Sequence, residues 1–279
     1  MASPRARDAR HFAAMPVDAY TAPFHIHAGS QRTFLVVCDH ASNALPDEYG
    51  SLGLTVRNRQ RHIAWDVGAR GVALALARKL DCPAVLGGTS RLLIDLNRGI
   101  DDASSILAES DGSTVPGNRT IGNRERAARV RQFHAPYHAW IDAYFDEQLA
   151  LGVRPTLVSV HSFSARLGNC ERPWPVAILW HRAREPVAAL IDWFAAHGYR
   201  VGDNQPYDAR ILPGWTLEHH ALRRDLLHAL FEVRSNEIET SQQQEEWGAR
   251  LHQAIVETRF GNPGAQTRDS SGEGAEHIF

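Results

Sequence analysis

The sequence predicts an α/β fold, a three-layer α/β/α sandwich with a mixed, mostly parallel central sheet, and three observations carry the prediction. Short, solidly apolar runs at 33–38, 156–160 and 229–233 alternate with longer amphipathic stretches. The runs lack the apolar–polar alternation of a half-exposed strand, so both of their faces must be covered. Polar clusters follow them, at the place where open α/β sheets gather their sites.

The first strand is placed at 33–38 and stops at Asp39-His40. Residues 62–80 carry Ile63, Val67, Val72 and Leu76 near helical spacing, which predicts a helix with Asp66 in its first turns. Two short runs around Gly87-Gly88, 84–86 and 92–94, read as strands. Residues 123–152 are charged on one face and carry Tyr137, Trp140, Tyr144 and Leu149 on another, a long helix that Pro136 would kink. Further strands are placed at 156–160, 176–180 and 229–233, and helices at 186–197, 217–227 and 241–257. Neither a repeat nor a linker interrupts this series, so 23–260 is expected to form one domain. Residues 1–22 mix Arg5, Arg7 and Arg10 with Asp8 and Asp18 and read as a flexible arm without a secretory signal. Residues 261–279, rich in Gly, Ser and charge, read as a flexible tail.

Composition removes several classes of function. Thirty Lys+Arg against 32 Asp+Glu give a net charge of −2, which argues against a protein held on nucleic acid by phosphate attraction. Nothing approaches the roughly 18 apolar residues of a membrane span. Cys38, Cys82 and Cys170 are odd in number and scattered, fitting neither a disulfide framework nor a CxxC metal site, and a reducing, cytoplasmic setting suits them. Fifteen histidines, by contrast, hint at chemistry.

That chemistry is expected at the strand ends. One strand delivers Asp39-His40-Ala41-Ser42-Asn43, another His161-Ser162-Phe163-Ser164, and the last Glu232-Val233-Arg234-Ser235-Asn236. The 92–94 run continues into Asp95-Leu96-Asn97-Arg98. Two imidazoles and a carboxylate can hold Zn²⁺ with one position open for water, whose pKa then falls to roughly 7. A nearby Glu takes the proton, and Arg supplies charge to an oxyanion or forks onto a carboxylate. Such a set suits hydrolysis of an anionic substrate. A histidine at a strand end is also a common structural residue, so spacing alone leaves both readings open.

Six stretches decide between them. Asp39-His40-Ala41-Ser42-Asn43, residues 62–69, residues 90–98, Val160-His161-Ser162-Phe163, residues 202–207 and Phe231-Glu232-Val233-Arg234 resemble, in order, the N-formylglutamate amidohydrolase family. The resemblance spans roughly residues 33–257 and extends in fold to zinc carboxypeptidases and aspartoacylase. It implies a zinc-dependent hydrolase of the amide bond of an N-acylated acidic amino acid, with N-formyl-L-glutamate giving formate and L-glutamate, as in histidine degradation. His40 and His161 match the metal histidines. Relatives with an HxxE pattern place a Glu where this chain has Asn43, so Asp66 is taken as the third ligand. Glu232 matches the general base, and Arg98 with Asn97 the pair that grips a substrate carboxylate or carbonyl oxygen. Arg91 and Arg234 are further carboxylate candidates, and Asn204 and Tyr207 are expected at the substrate. Another divalent metal would also suit these ligands.

Other residues carry plainer expectations. Asp95 is expected to orient Arg98. His134 and His138 stand at i,i+4 but lack the Glu of HExxH, so no zincin site is expected; His138 is expected to reach the pocket from below and contact the substrate. His219-His220 reads as a solvated pair. Two rival functions stay open: a zinc hydrolase of another N-acyl amino acid or peptide-like amide, and a metal-free relative that binds a ligand, suggested by Asn43.

Overall fold

The structure is a computed structural model that describes residues 22–182, 184–211 and 214–261; the expected arm and tail, apart from Ala22 and Gly261, lie outside these. Valine, leucine and isoleucine in short runs build a seven-stranded sheet: β1 (Phe24–His27), β2 (Phe34–Cys38), β3 (Ala84–Gly87), β4 (Thr156–Phe163), β5 (Val176–Leu179), β6 (Val201–Asp203) and β7 (His228–Arg234). Their order is β1-β3-β2-β4-β7-β5-β6. The central strands β3, β2, β4 and β7 run parallel, as do β5 and β6, while β1 pairs antiparallel with β3 and β5 with β7. The sheet is thus mixed and mostly parallel, as the solid apolar runs predicted.

Successive residues of each strand point to opposite faces, and both faces are packed. Val36, Cys38, Val158, Val160 and Phe231 meet α1 (Ala69–Leu80), α3 (Glu185–Ala196) and α4 (Ser241–Glu257). Leu35, Val37, Leu157 and Leu230 meet α2 (Ala135–Ala150) through Tyr137, Ile141 and Phe145. A third cluster, with Leu52, Ile63, Leu92, Leu93, Ile94 and Phe133, lies under the long connections at one end of the sheet. No helix among the described residues is long and apolar enough to cross a membrane.

Several elements differ from the sequence expectation, each for a local reason. Residues 92–94 form no strand. Leu93 N–H closes a turn on Ser90 O, and Ser90 Oγ bonds Ala64 O, so the run is buried as a loop inside the third cluster. Apolarity alone does not separate these two kinds of burial. The helix expected from 62 begins only at Ala69, because Gly68 at its N-cap has φ +82° and turns the chain there. Asp66 therefore lies in a loop. Residues 217–227 make a π turn (Leu217–Ala221) and a 3₁₀ turn (Leu222–Arg224), ended by Asp225 at φ +52°. The edge strands β1 and β6 are four and three residues long and left no clear apolar run.

Pro136 perturbs its helix in a specific way. Asn123–Arg129 is α-helical, Val130–His134 forms a π turn, and α2 follows. Ala135 N–H bonds Val130 O, five residues back. In a regular α-helix the proline ring would strike the carbonyl four residues earlier, and the widened turn relieves that clash.

Helices α1 and α4 cross very closely. A Cβ at Gly248 would meet Ala75 Cβ at 2.4 Å and Leu76 N at 3.0 Å. Gly248→Ala gains up to about 1 kcal/mol of helix propensity but forces two packed helices apart, which costs typically 1–3 kcal/mol. Urea denaturation should show net destabilisation of the variant.

Candidate active site

The polar residues gather at the carboxyl ends of the parallel strands. His40 stands two residues beyond β2. Asp66 is tied to it through the backbone, its N–H bonding His40 O at 3.0 Å. The turn at Gly68 presses against the chain after β7, where an added Cβ would lie 2.4 Å from Ile238 O. His161 on β4 and Glu232 on β7 are direct partners in the ladder. By strand alternation they share the face of Phe163 and Leu230, the α2 side.

Three side chains converge. Asp66 Oδ2 lies 2.7 Å from His161 Nδ1 and 3.4 Å from His40 Nδ1, and the imidazole centroids are 5.1 Å apart. Their ligand atoms all lie within 4.8 Å of one another, and all three residues are buried. Behind each ring stands another carboxylate: His40 Nε2 is 2.6 Å from Asp95 Oδ1, and His161 Nε2 is 3.2 Å from Asp39 Oδ2. Asp39 Oδ1 in turn accepts bonds from Tyr137 Oη at 2.7 Å and Thr216 Oγ1 at 2.8 Å.

The electrostatics follow from this packing. Burial pushes the Asp39 carboxyl up, but bonds and charge from His161 prevail and hold it at about 2. Burial likewise opposes ionisation of Asp66 and Asp95, and their cationic neighbours, His40 for the one and Arg91 for the other, keep both below the usual carboxylate range. Burial lowers the His161 pKa, yet its two aspartates raise it well above the ordinary value. A carboxylate only accepts, so the proton behind each ring sits on Nε2 and both Nδ1 atoms turn toward Asp66. A divalent cation can replace the Nδ1 protons there: two imidazole nitrogens and one carboxylate oxygen suit zinc and several of its neighbours.

Glu232 is chemically different. It is 7% exposed, its Oε2 has no hydrogen-bond partner among the described residues, and burial pushes its carboxyl up to about 7. It lines a cavity of about 180 Å³ together with His40, Asp66, His161, Arg98 and Tyr207. A larger cavity of about 660 Å³ is lined by Thr33, Thr156 and His228, at the opposite ends of the strands and away from these groups.

The expected site residues divide into two sets. Asn97 and Arg91 also line the smaller cavity. Arg98 bonds only its neighbour's carbonyl, Asn97 O at 3.0 Å, and makes no ion pair among the described residues. Arg91 is already engaged, 2.8 Å from Asp95 Oδ2 and 3.5 Å from Asp66 Oδ1. The sequence expectation that Asp95 orients Arg98 is thus corrected: Asp95 pairs with Arg91 and His40 instead. Tyr207 faces the cavity, its hydroxyl accepting from Arg172 at 3.1 Å.

The remaining candidates are not brought to the cavity. Asn204 spends its amide on both the N–H and the carbonyl of Trp180, joining β5 to β6. Arg234 pairs with Glu237 at 2.7 Å and bonds Arg172 O at 3.2 Å. His138 lies beneath the floor, bonded to Leu96 O. Asn43 turns away to donate to Arg59 O. Sequence reasoning missed the supporting parts played by Asp39, Tyr137 and Thr216. Asp39 alone had a signal, its place directly before His40; the other two depend on contacts 98 and 177 residues apart in the chain.

The family model for N-formylglutamate amidohydrolase matches residues 32–238. This chain belongs to that family. The family is one of amidohydrolases, and its model spans every residue of the cluster just described. A gene product of Agrobacterium tumefaciens of solved structure is similar at 28% identity and a TM-score of 0.82, over 86% of this chain and 96% of that one. An N-formylglutamate amidohydrolase from Ralstonia eutropha, 16% identical with a TM-score of 0.62 over 85% and 99% of the two chains, shares the fold. A search of curated proteins gives no match.

The raised Glu232 pKa makes a stability prediction. A carboxyl at about 7 in the folded state and near 4.5 unfolded takes up a proton on folding between those values. It costs nothing below pH 4.5, and the cost grows as pH rises to about 7, reaching on the order of 3 kcal/mol above it. Metal-free Glu232→Gln should therefore be more stable than the wild type at pH 8 and lose that advantage near pH 4.5, in denaturant melts at both pH values.

Proposed function

We propose that this chain is a zinc-dependent amidohydrolase that cleaves N-formyl-L-glutamate to formate and L-glutamate. One observation carries the proposal: a carboxyl oxygen of Glu232 and the guanidinium of Arg98, without a hydrogen-bond partner and without an ion pair respectively among the described residues, line the same small cavity as His40, Asp66 and His161. In this reading those three hold the metal, with Asp95 and Asp39 orienting the rings.

Bound there, the ion would supply a Lewis acid for the amide carbonyl and acidify a water molecule. The protein's own groups do the rest. Arg98 and Asn97 hold a substrate carboxylate, Arg98 because a planar guanidinium forks onto it and, among the described residues, has no competing ion pair. Glu232 accepts the proton of the attacking water and passes it to the amide nitrogen as the C–N bond breaks. Its carboxyl near 7 suits both halves of that task. Tyr207 and Arg91 border the substrate; Arg91 also holds the carboxylates of Asp66 and Asp95 in place.

Size supports a small acyl group. A cavity of about 180 Å³ is well below the roughly 300–1,000 Å³ of drug-sized ligand sites, which favours formyl over a peptide-like acyl group. The thiols Cys38, Cys82 and Cys170 are all free, in keeping with a cytoplasmic enzyme.

Two measurements test the proposal. Glu232→Gln should lower turnover by roughly 100-fold or more while about one equivalent of zinc remains bound by elemental analysis. Undiminished turnover removes Glu232 as the base, and a wild type that takes up no zinc removes the metal. On a substrate panel, N-formyl-leucine should lose at least about tenfold in kcat/KM against N-formylglutamate, since it lacks the second carboxylate; equal values would point to a different amide.

A further inference from the structure

Below the cavity floor stand two imidazoles that the proposed reaction does not use. His134 and His138 project from successive turns at the start of α2, 4% and 5% exposed, with ring centroids 4.3 Å apart. Their rings are tilted by 45° to one another, and His134 is the last residue of the π turn at Val130–His134. Each reaches a carbonyl of the same loop: His134 Nε2 lies 2.8 Å from Arg98 O, and His138 Nε2 lies 2.8 Å from Leu96 O. A carbonyl only accepts, so both Nε2 atoms carry the proton. The peptide unit before Asn97 and the one after Arg98 are therefore both held from the same helix.

The clamp is braced from behind. His138 Nδ1 faces His220 Nε2 at 2.8 Å, and His220 Nδ1 faces Asp142 Oδ1 at 2.9 Å. Asp142, His219 and His220 bring their ligand atoms within 4.8 Å, an arrangement that resembles a cation site. Arg224 already meets Asp142 Oδ1 at 2.9 Å, and Arg223 lies 3.3 Å from His219 Nδ1, so the chain's own cations serve this cluster. Its part is to stiffen His138.

From the loop's other side, Asn97 Oδ1 accepts Thr216 N–H at 3.1 Å. Among the described residues the Arg98 guanidinium is anchored only to Asn97 O, so its direction depends on the backbone that His134 and His138 fix. We propose that His134 and His138 are positioning residues that aim Arg98 and Asn97 at the substrate carboxylate. This rests on the reading that Arg98 holds that carboxylate.

Steady-state kinetics on the zinc enzyme test it. His134→Leu removes the donor; His134→Gln keeps an amide N–H near the place of Nε2, whereas His134→Asn is too short to reach. Leu and Asn should each raise KM for N-formylglutamate roughly tenfold with kcat within about threefold, and Gln should stay within about twofold of wild type. Arg98→Met should raise KM at least as much, and adding His134→Leu to it should raise KM no further, because both act on one contact. Should Leu not fold, the contrast between Asn and Gln carries the same test.

The outcomes separate cleanly. If Arg98→Met raises KM while the His134 variants do not, or if Gln is as impaired as Leu and Asn, or if the two effects multiply in the double variant, the clamp is wrong and the Arg98 reading stands. If Arg98→Met leaves KM unchanged, the Arg98 reading falls and the clamp falls with it.

Discussion

The site depends on one buried arrangement: the Asp66 carboxylate faces the Nδ1 atoms of His40 and His161, and a further aspartate stands behind each ring. Three carboxylates removed from water would each cost several kcal/mol if left alone. Here every one has a cation or a polarised N–H beside it, and a divalent ion taking the place of the two Nδ1 protons would leave that balance of charge unchanged. The same arrangement fixes the rings, since neither imidazole can turn over without exchanging one carboxylate partner for another.

Much of the chain serves to hold these partners in register. His161 and Glu232 are set by adjacent parallel strands, so their separation is fixed by the ladder itself. His40 and Asp66 are joined through the backbone, and Asp95 arrives on a loop that the third apolar cluster buries. The face of α2 then closes the floor, with Tyr137 on Asp39 and two histidines on the loop carbonyls. Charge is divided unequally in consequence: Arg91 is neutralised by the aspartates it orients, while Arg98 at the cavity has no ion pair among the described residues.

The sheet was legible in the sequence because its central strands are covered on both faces and so read as unbroken apolar runs. His40, His161 and Glu232 stood out for a related reason, as polar residues at or near the ends of those runs. Leu92, Leu93 and Ile94 misled because a loop buried in its own small cluster has the same composition as a short strand. Asp66 was found as a ligand candidate but placed on a helix, since Gly68, whose backbone turn delays that helix, carries no side chain to mark the break in pattern. Asn204 and Arg234 carry polar groups suited to a substrate, yet the fold spends them on Trp180 and Glu237, a choice fixed by packing and invisible in spacing. The Thr216 contact was hidden by distance along the chain.

Crystals soaked in zinc and measured across the zinc absorption edge bear most directly on this account. It predicts a single anomalous peak bonded at about 2 Å to Nδ1 of His40, Nδ1 of His161 and a carboxylate oxygen of Asp66, with both Nε2 atoms still on their aspartates. A peak elsewhere, ligation through Nε2, or full-occupancy soaks with no zinc between the two rings would contradict it.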